Sequence, residues 1–243
     1  MAGLTNSPGL QGKRALVTGA GRGIGAATAR LLAAQGCQVG IHYRIDRAAA
    51  EGVQAACPNS ALFAADLSIP GSAAPLMDAF IDWAGGIDIL VNNAGGVPPA
   101  AGAVRTLNLD SPVGLIEAAW RHFEAQRGGA VVNVSSTVAG RAASARLAPY
   151  SMAKSGLEQA TRNFALAGAS RGIRVNAVRP GLTDTDLNRW EDDPDRSKYA
   201  ARVARVPMVR AALPEEIAAA IVFLASGLAS YTTGTILTLA GGE

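Results

Sequence analysis

Between residues 18 and 25 the chain reads Thr18-Gly19-Ala20-Gly21-Arg22-Gly23-Ile24-Gly25, with glycine at every second position. The run follows an apolar segment, Arg14–Thr18, and leads into a helical pattern, Ile24–Gln35, closed by Gly36. Glycine permits the tight turn this connection needs and lets backbone N–H groups come close to a pyrophosphate. The N-terminus of the following helix adds partial positive charge at the same place. A strand, a bare turn and a helix in this order point to parallel β-α-β units, in which the next strand pairs only after a crossover.

The rest of the chain keeps that alternation. Further strands are expected at Gln38–Tyr43, Ala61–Ala65, Ile87–Val91, Ala130–Ser135, Ile173–Val178 and Thr235–Leu239. Further helices are expected at Ala48–Ala56, Ala73–Trp83, Leu109–Gln126, Tyr150–Ser170 and Pro214–Ser226. This pattern predicts an α/β, single-domain Rossmann fold over 12–243: a doubly wound, seven-stranded parallel sheet flanked by helices. Residues 1–11 lack the basic-then-apolar order of a signal peptide and read as a flexible tail. Residues 186–210 are polar and charged and read as a mobile region bordering the substrate.

Hydrophobic residues at 49% supply a sizeable core, and charged residues at 17% argue against disorder. No apolar run approaches the ~20 residues of a membrane span. The net charge of +3 comes without a Lys/Arg block that would track nucleic acid. Cys37 and Cys57 have neither redox nor metal spacing, and His42 and His122 make no zinc-like cluster. The expectation is a cytoplasmic protein with no catalytic metal and no nucleic-acid or membrane partner.

Tyr150 and Lys154 stand four residues apart on a predicted helix and share one face. A free phenol, with a pKa of about 10, is a poor acid or base near neutral pH. The neighbouring ammonium is expected to lower it. A phenol so tuned gives a proton to a ketone or takes one from an alcohol. Such pairs are common on helices; the glycine turn upstream gives this one its meaning.

The glycine spacing, G-x-x-x-G-x-G, departs from the G-x-G-x-x-G fingerprint. It resembles the T-G-x-x-x-G-x-G motif of the short-chain dehydrogenase/reductase family. Further motifs of that family follow in order over about Gly12 to Gly242: Asp66, Asn92-Asn93-Ala94-Gly95, Asn108, Ser136, Tyr150 with Lys154, and Pro180-Gly181. The resemblance implies hydride transfer between a nicotinamide and a ketone, aldehyde or alcohol. It implies that Ser136 hydrogen-bonds the substrate oxygen, Tyr150 is general acid or base, Lys154 tunes Tyr150 and holds the nicotinamide ribose, and Asn108 holds a relay water. Ser135 and Thr137 adjoin Ser136. Alignment on the strand favours Ser136, counting back from Tyr150 favours Thr137, and the strand is preferred because loops absorb insertions.

The same resemblance assigns Gly19, Gly21, Arg22, Gly23, Ile24 and Gly25 to the cofactor pyrophosphate side and Asp66 with Leu67 to the adenine side. Asn92, Asn93, Ala94 and Gly95 would steady the central strand and border the cofactor. Pro180, Gly181, Leu182, Thr183 and Thr185 would border the nicotinamide carboxamide. After the second strand the chain reads His42-Tyr43-Arg44, with no carboxylate before Asp46. An NAD site usually has an acid there, whereas Arg44 and Arg22 can pair with a 2′-phosphate. NADP(H) is therefore the expected cofactor, with NAD(H) as the alternative.

Two departures stand out. The stretch from Gly95 to Asn108 is shorter than is usual in the family. The C-terminal Leu239-Ala240-Gly241-Gly242 replaces the frequent Val-Asp-Gly-Gly. Substrate choice is expected in Val97–Thr106, Val138–Pro149 and Asp186–Val209, with Trp190 and Tyr199 as candidate walls. Arg127 and Arg171 stand where 3-oxoacyl-carrier reductases of the family dock an acidic carrier, so the best specific expectation is a 3-oxoacyl thioester. Sugars, polyols, steroids and other small carbonyls stay open, as do a silent NADP-binding protein and a scaffolding subunit. A homodimer or homotetramer is expected from the resemblance.

Overall fold

The computed structural model describes residues 8–98, 102–141, 144–188 and 193–243. Seven strands form one sheet: β1 (Arg14–Val17), β2 (Gln38–Tyr43), β3 (Ser60–Ala64), β4 (Ile89–Asn92), β5 (Gly129–Val134), β6 (Ile173–Pro180) and β7 (Ile236–Leu239). Their order is β3-β2-β1-β4-β5-β6-β7, and every pair is parallel. Val17 at the end of β1 is in register with Ile41 on one side and Val91 on the other. The chain runs outward from β1 to β3, then crosses back to β4. The carboxyl ends of β1 and β4 therefore flank the switch point where such sheets bind ligands.

Helices cover both faces because consecutive strand residues point to opposite sides. Ala15 and Val17 join Val39, Ile41 and Val91 in the core under α1 (Gly23–Ala34) and α8 (Pro214–Ala225). Leu16 points the other way and joins Leu90, Val131 and Val175 beneath α3 (Ala73–Ala84) and α5 (Ser111–Ala125). Phe80 and Phe123 are fully buried in that second layer. Helix α2 (Arg47–Gln54) starts at Asp46, whose carboxylate accepts from the Ala49 N–H at 2.9 Å. Helix α6 (Ala148–Gly168) starts two residues earlier than expected, with Pro149 in its first turn, a position where the missing N–H costs nothing.

Three segments differ from expectation. The helix expected from Leu109 begins earlier, with a single turn α4 (Ala103–Arg105) and a π-helical turn at Thr106–Asp110 running into α5. Pro112 has no N–H to close an α-helical bond onto the Asn108 carbonyl, so the chain takes the wider turn there. The polar stretch 186–210 is not uniformly mobile: it contains α7 (Ser197–Val203). Buried Asp193 accepts from the Lys198 and Tyr199 N–H groups at 2.9 and 2.8 Å and fixes the start of that helix. In the expected tail, Leu10 is fully buried and the Pro8 carbonyl accepts from Gly227 N–H, so 8–11 are docked; residues 1–7 lie outside the described residues.

Candidate active site

The glycine turn is held from behind by two strands. Thr18 Oγ1 accepts from the N–H groups of Asn93 and Ala94 at 2.9 and 3.0 Å. Asn93 Nδ2 donates back to the carbonyls of Thr18 and Gly19 at 2.8 and 3.1 Å. The Asn-Asn-Ala-Gly run thus clamps the turn from the end of β4. Asn92 itself is turned into the interior, donating to Asn133 Oδ1 at 2.9 Å and to the Pro112 carbonyl at 3.2 Å. It joins β4 to β5 and α5.

His42 supports the turn from the neighbouring strand, a role with no motif in the sequence. Its Nδ1 accepts from the Gly19 N–H at 3.0 Å, so Nε2 carries the proton and donates to the Ala65 carbonyl at 3.1 Å. Its backbone carbonyl accepts from Ala20 N–H at 2.8 Å. One residue thus orients two consecutive amides of the turn and ties them to the end of β3. The signal was a polar residue near the end of an otherwise apolar strand. Burial pushes the His42 pKa down to about 4, against hydrogen bonding to Ala65. The unfolded chain binds this proton below about 6.5, the folded chain only below about 4. In that window the unfolded state holds more protons, so stability falls as pH drops through it, by roughly 3 kcal/mol in all. Urea unfolding at pH 7 and pH 4.5 checks this: the pH-dependent loss should shrink in His42→Gln.

The cleft side of the turn suits a pyrophosphate. Helix α1 has no side-chain cap and no acidic residue in its first turn, so its leading N–H groups face outward without a competing carboxylate. A β-carbon on Gly23 would stand 3.2 Å from Thr185 Cγ2, so the turn and the Pro180–Thr185 segment approach each other closely. Arg44 is exposed after β2, and Asp46 is engaged as the cap of α2. Arg22 Nη1 lies 3.9 Å from Asp186 Oδ2, both at the surface. Asp66 accepts from the N–H and hydroxyl of Ser68 at 2.9 and 2.6 Å, and the buried Leu67 offers its carbonyl to Ser111 Oγ at 2.7 Å. Gly181 N–H is bonded to the Leu239 carbonyl, while Leu182 and Thr183 are buried and paired with Ala212.

The residues expected to move the proton meet at the end of β5. Ser135 and Ser136 point in opposite directions, as strand alternation requires. Ser135 is buried and donates to Glu158 Oε1 at 2.7 Å, and Glu158 is ion-paired with Arg179 at 2.5 Å. Ser136 faces the other way, its Oγ accepts from Val138 N–H at 3.4 Å, and its hydroxyl opposes the rise in the Tyr150 pKa. Lys154 is 2% exposed; its Nζ donates to the Val134 carbonyl at 2.7 Å and lies 5.8 Å from the centre of the Tyr150 ring. Asn108 is fully buried on the π turn. Its Nδ2 donates to the carbonyls of Gly96 and Val104, and its Oδ1 accepts from Gly96 N–H. A β-carbon at Gly95 would stand 2.9 Å from Asn108 Oδ1 and 3.1 Å from Lys154 Nζ, which explains why glycine separates these two groups.

The electrostatics correct one expectation. Burial pushes the Tyr150 phenol up to about 12, with hydrogen bonding to Ser136 opposing it. Burial also pulls Lys154 down to about 8. Desolvation of the phenolate is the largest cause of the Tyr150 shift. A phenol in this state is protonated at neutral pH.

Of the residues considered for substrate choice, Tyr199 is described, with Arg196 4.0 Å over its ring, and Trp190 lies outside the described residues. No described helix is long and apolar enough to cross a membrane, and no cluster of three or more metal-ligating side chains occurs among the described residues.

A doubly wound sheet with a bare glycine turn at its switch point, beside a Ser-Tyr-Lys cluster, defines a dinucleotide-type oxidoreductase. Comparison with known proteins agrees. A family described as enoyl-(acyl carrier protein) reductase matches residues 19–243. The chain is 41% identical over 240 residues to cis-4-hydroxycyclohexanecarboxylate dehydrogenase of Sinomonas cyclohexanicum, covering 94% of this chain and 95% of that one. It is 39% identical over 242 residues to 3-oxoacyl-[acyl-carrier-protein] reductase FabG of Vibrio cholerae, covering 96% and 98%. The structure of a 3-oxoacyl (acyl-carrier-protein) reductase from Agrobacterium tumefaciens with NADP bound superposes with a TM-score of 0.89 at 32% identity, covering 97% and 95%. The chain belongs to the short-chain dehydrogenase/reductase family, oxidoreductases that act on the CH–OH/C=O pair.

Proposed function

We propose that this protein is an NADP(H)-dependent carbonyl reductase in which Tyr150 is the general acid. The observation that carries the reading is the convergence of Ser136 and Lys154 on Tyr150 at the end of β5. A bound nicotinamide supplies or accepts the hydride; the protein positions the partners and moves the proton. Ser136 orients the carbonyl oxygen, and the Tyr150 hydroxyl hands it a proton as charge develops. Lys154 holds the ribose and the charge beside the phenol. Asn108 holds the backbone at Gly96, and with it the wall of the proton path from Lys154.

The glycine turn and the first turn of α1 would hold the pyrophosphate, with Asp66 and Leu67 bordering the adenine and Gly181 to Thr185 the carboxamide. Arg44 and Arg22 would take the 2′-phosphate. The engagement of Asp46 as a helix cap supports NADP(H) over NAD(H), because it removes the nearest carboxylate that could bind a bare 2′-hydroxyl.

For substrate, the reading favoured is a 3-oxoacyl thioester, supported by the relatives of that name. Arg127 and Arg171 precede β5 and β6 and lie at the opposite end of the sheet from Ser136 and Tyr150. A carrier docked on them would serve the site of another copy, which fits a cytoplasmic homo-oligomer. The relative acting on a hydroxycyclohexanecarboxylate gives small cyclic carbonyls as the second reading.

The test is NADPH consumption against a carbonyl panel: a 3-oxoacyl thioester, 4-oxocyclohexanecarboxylate, its methyl ester, a sugar and a steroid ketone. NADPH should bind at least about tenfold tighter than NADH, equivalent to ~1.4 kcal/mol from the 2′-phosphate contacts. Arg44→Asp should narrow or reverse that gap. Equal use of both cofactors by the unmodified protein would sink the NADP(H) reading, and no turnover of any carbonyl would sink the reductase.

A further inference from the structure

Glu243 follows a left-handed turn at Gly241 and Gly242, with φ of 62° and 96°. Its side chain is folded inward and is 5% exposed. The carboxylate is ion-paired with Arg202 of α7 and stands 3.5 Å from Arg141 Nη1. Its Oε2 would lie 2.9 Å from a β-carbon placed on Gly181, so it sits against the first residue of the Gly181–Thr185 segment. Burial pushes the Glu243 pKa up, but Arg202 and Arg141 outweigh that and hold it below the ordinary carboxylate range.

These contacts join three segments that border the proposed substrate position. Arg141 follows the short helical turn Thr137–Gly140 that Ser136 caps. Arg202 belongs to the region 186–210, and Gly181 opens the segment facing the glycine turn. Without the carboxylate, two guanidinium groups would remain at one place. Their forked donors would then suit a carboxylate or phosphate on the substrate.

We propose that Glu243 determines substrate charge: it offsets one of the two positive charges of Arg141 and Arg202, occupies their donors and ties α7 to the loop after Ser136, so that the site favours carbonyl compounds without an acid group near the reacting carbon. The inference rests on the proposed reductase activity for its specificity and on geometry alone for the tie. Glu243→Gln keeps the shape and removes the charge. With 4-oxocyclohexanecarboxylate and its methyl ester, the acid-to-ester ratio of kcat/KM should rise about tenfold, mainly through KM for the acid. Arg202→Met in the Glu243→Gln background should cancel the gain, and Glu243→Asp should keep the original ratio. An unchanged ratio, or an equal fall on both compounds, overturns the proposal.

Amide exchange supplies a readout that needs no turnover. Glu243→Gln should speed exchange in Ser197–Val203 and leave Pro214–Ala225 as it was; unchanged exchange in Ser197–Val203 overturns the tie. If the unmodified protein reduces neither compound but turns over another carbonyl of the panel, the charge proposal is overturned while the reductase reading stands; if it reduces no carbonyl, the activity reading fails; in both cases exchange alone decides whether Glu243 holds α7.

Discussion

Tyr150→Phe lowers the rate of carbonyl reduction by about a thousandfold, within the ~10²–10⁴ range of a positioned general acid, and leaves NADPH binding near its original strength. The substitution removes one oxygen from a half-buried ring and keeps the packing of α6. It leaves Lys154 on the Val134 carbonyl and Asn108 on Gly96. The phenol sits at about 12 because burial disfavours its anion, so at neutral pH it carries the proton that reduction consumes. The reverse reaction needs the phenolate, so alcohol oxidation by the unmodified protein should climb through the alkaline range. Steady-state rates against pH, with cofactor affinity by fluorescence, check both points. Retention of a tenth or more of the activity in Tyr150→Phe would remove Tyr150 from the proton-donor role.

Gly25→Ala is the second large effect, and its cause is steric. A β-carbon there would stand 2.3 Å from the Gly19 carbonyl oxygen and 2.5 Å from Asn93 Nδ2. The first contact is backbone and cannot rotate away, and the second is part of the clamp that Asn93 places on the turn. The expected cost is ~3 kcal/mol, at the upper end for overpacking, and a fall of about 6–12 °C in the thermal midpoint. Cofactor affinity should fall by more than about tenfold, because the displaced turn no longer presents its amides. Gly52→Ala is the control: it lies within α2 with nothing within 4 Å of the added methyl and should be neutral or slightly stabilising. Equal melting of Gly25→Ala and the unmodified protein would remove the packing argument for the turn.

The chemistry most legible in this sequence is local. A glycine turn between strand and helix, and a tyrosine four residues before a lysine, carry their meaning within a few positions. Strand alternation even separated Ser135 from Ser136, and the Glu158 contact of Ser135 explains why the two serines have different work. Residues whose partners are distant were illegible. His42 acts on Gly19 and Ala65, and Glu243 on Arg141 and Arg202; neither spacing has a periodicity to read. Helix α7 is too short for a periodic pattern and depends on hydrogen bonds from its first turn to the buried Asp193 carboxylate. The direction of the Tyr150 shift comes from depth of burial, a property of the fold with no local signal in the residues.

The strand order has a consequence in time as well as in space. β1 is paired on one side with β2, which follows it closely, and on the other with β4, more than seventy positions along the chain. Closing so long a loop is entropically slow, and parallel pairing adds non-local contacts that delay folding. Asn93 can clamp Thr18 only after that closure. Were β1, α1 and β2 to assemble first, they would carry the glycine turn without its support. Competence to hold a dinucleotide would then come only with the docking of the second half of the sheet.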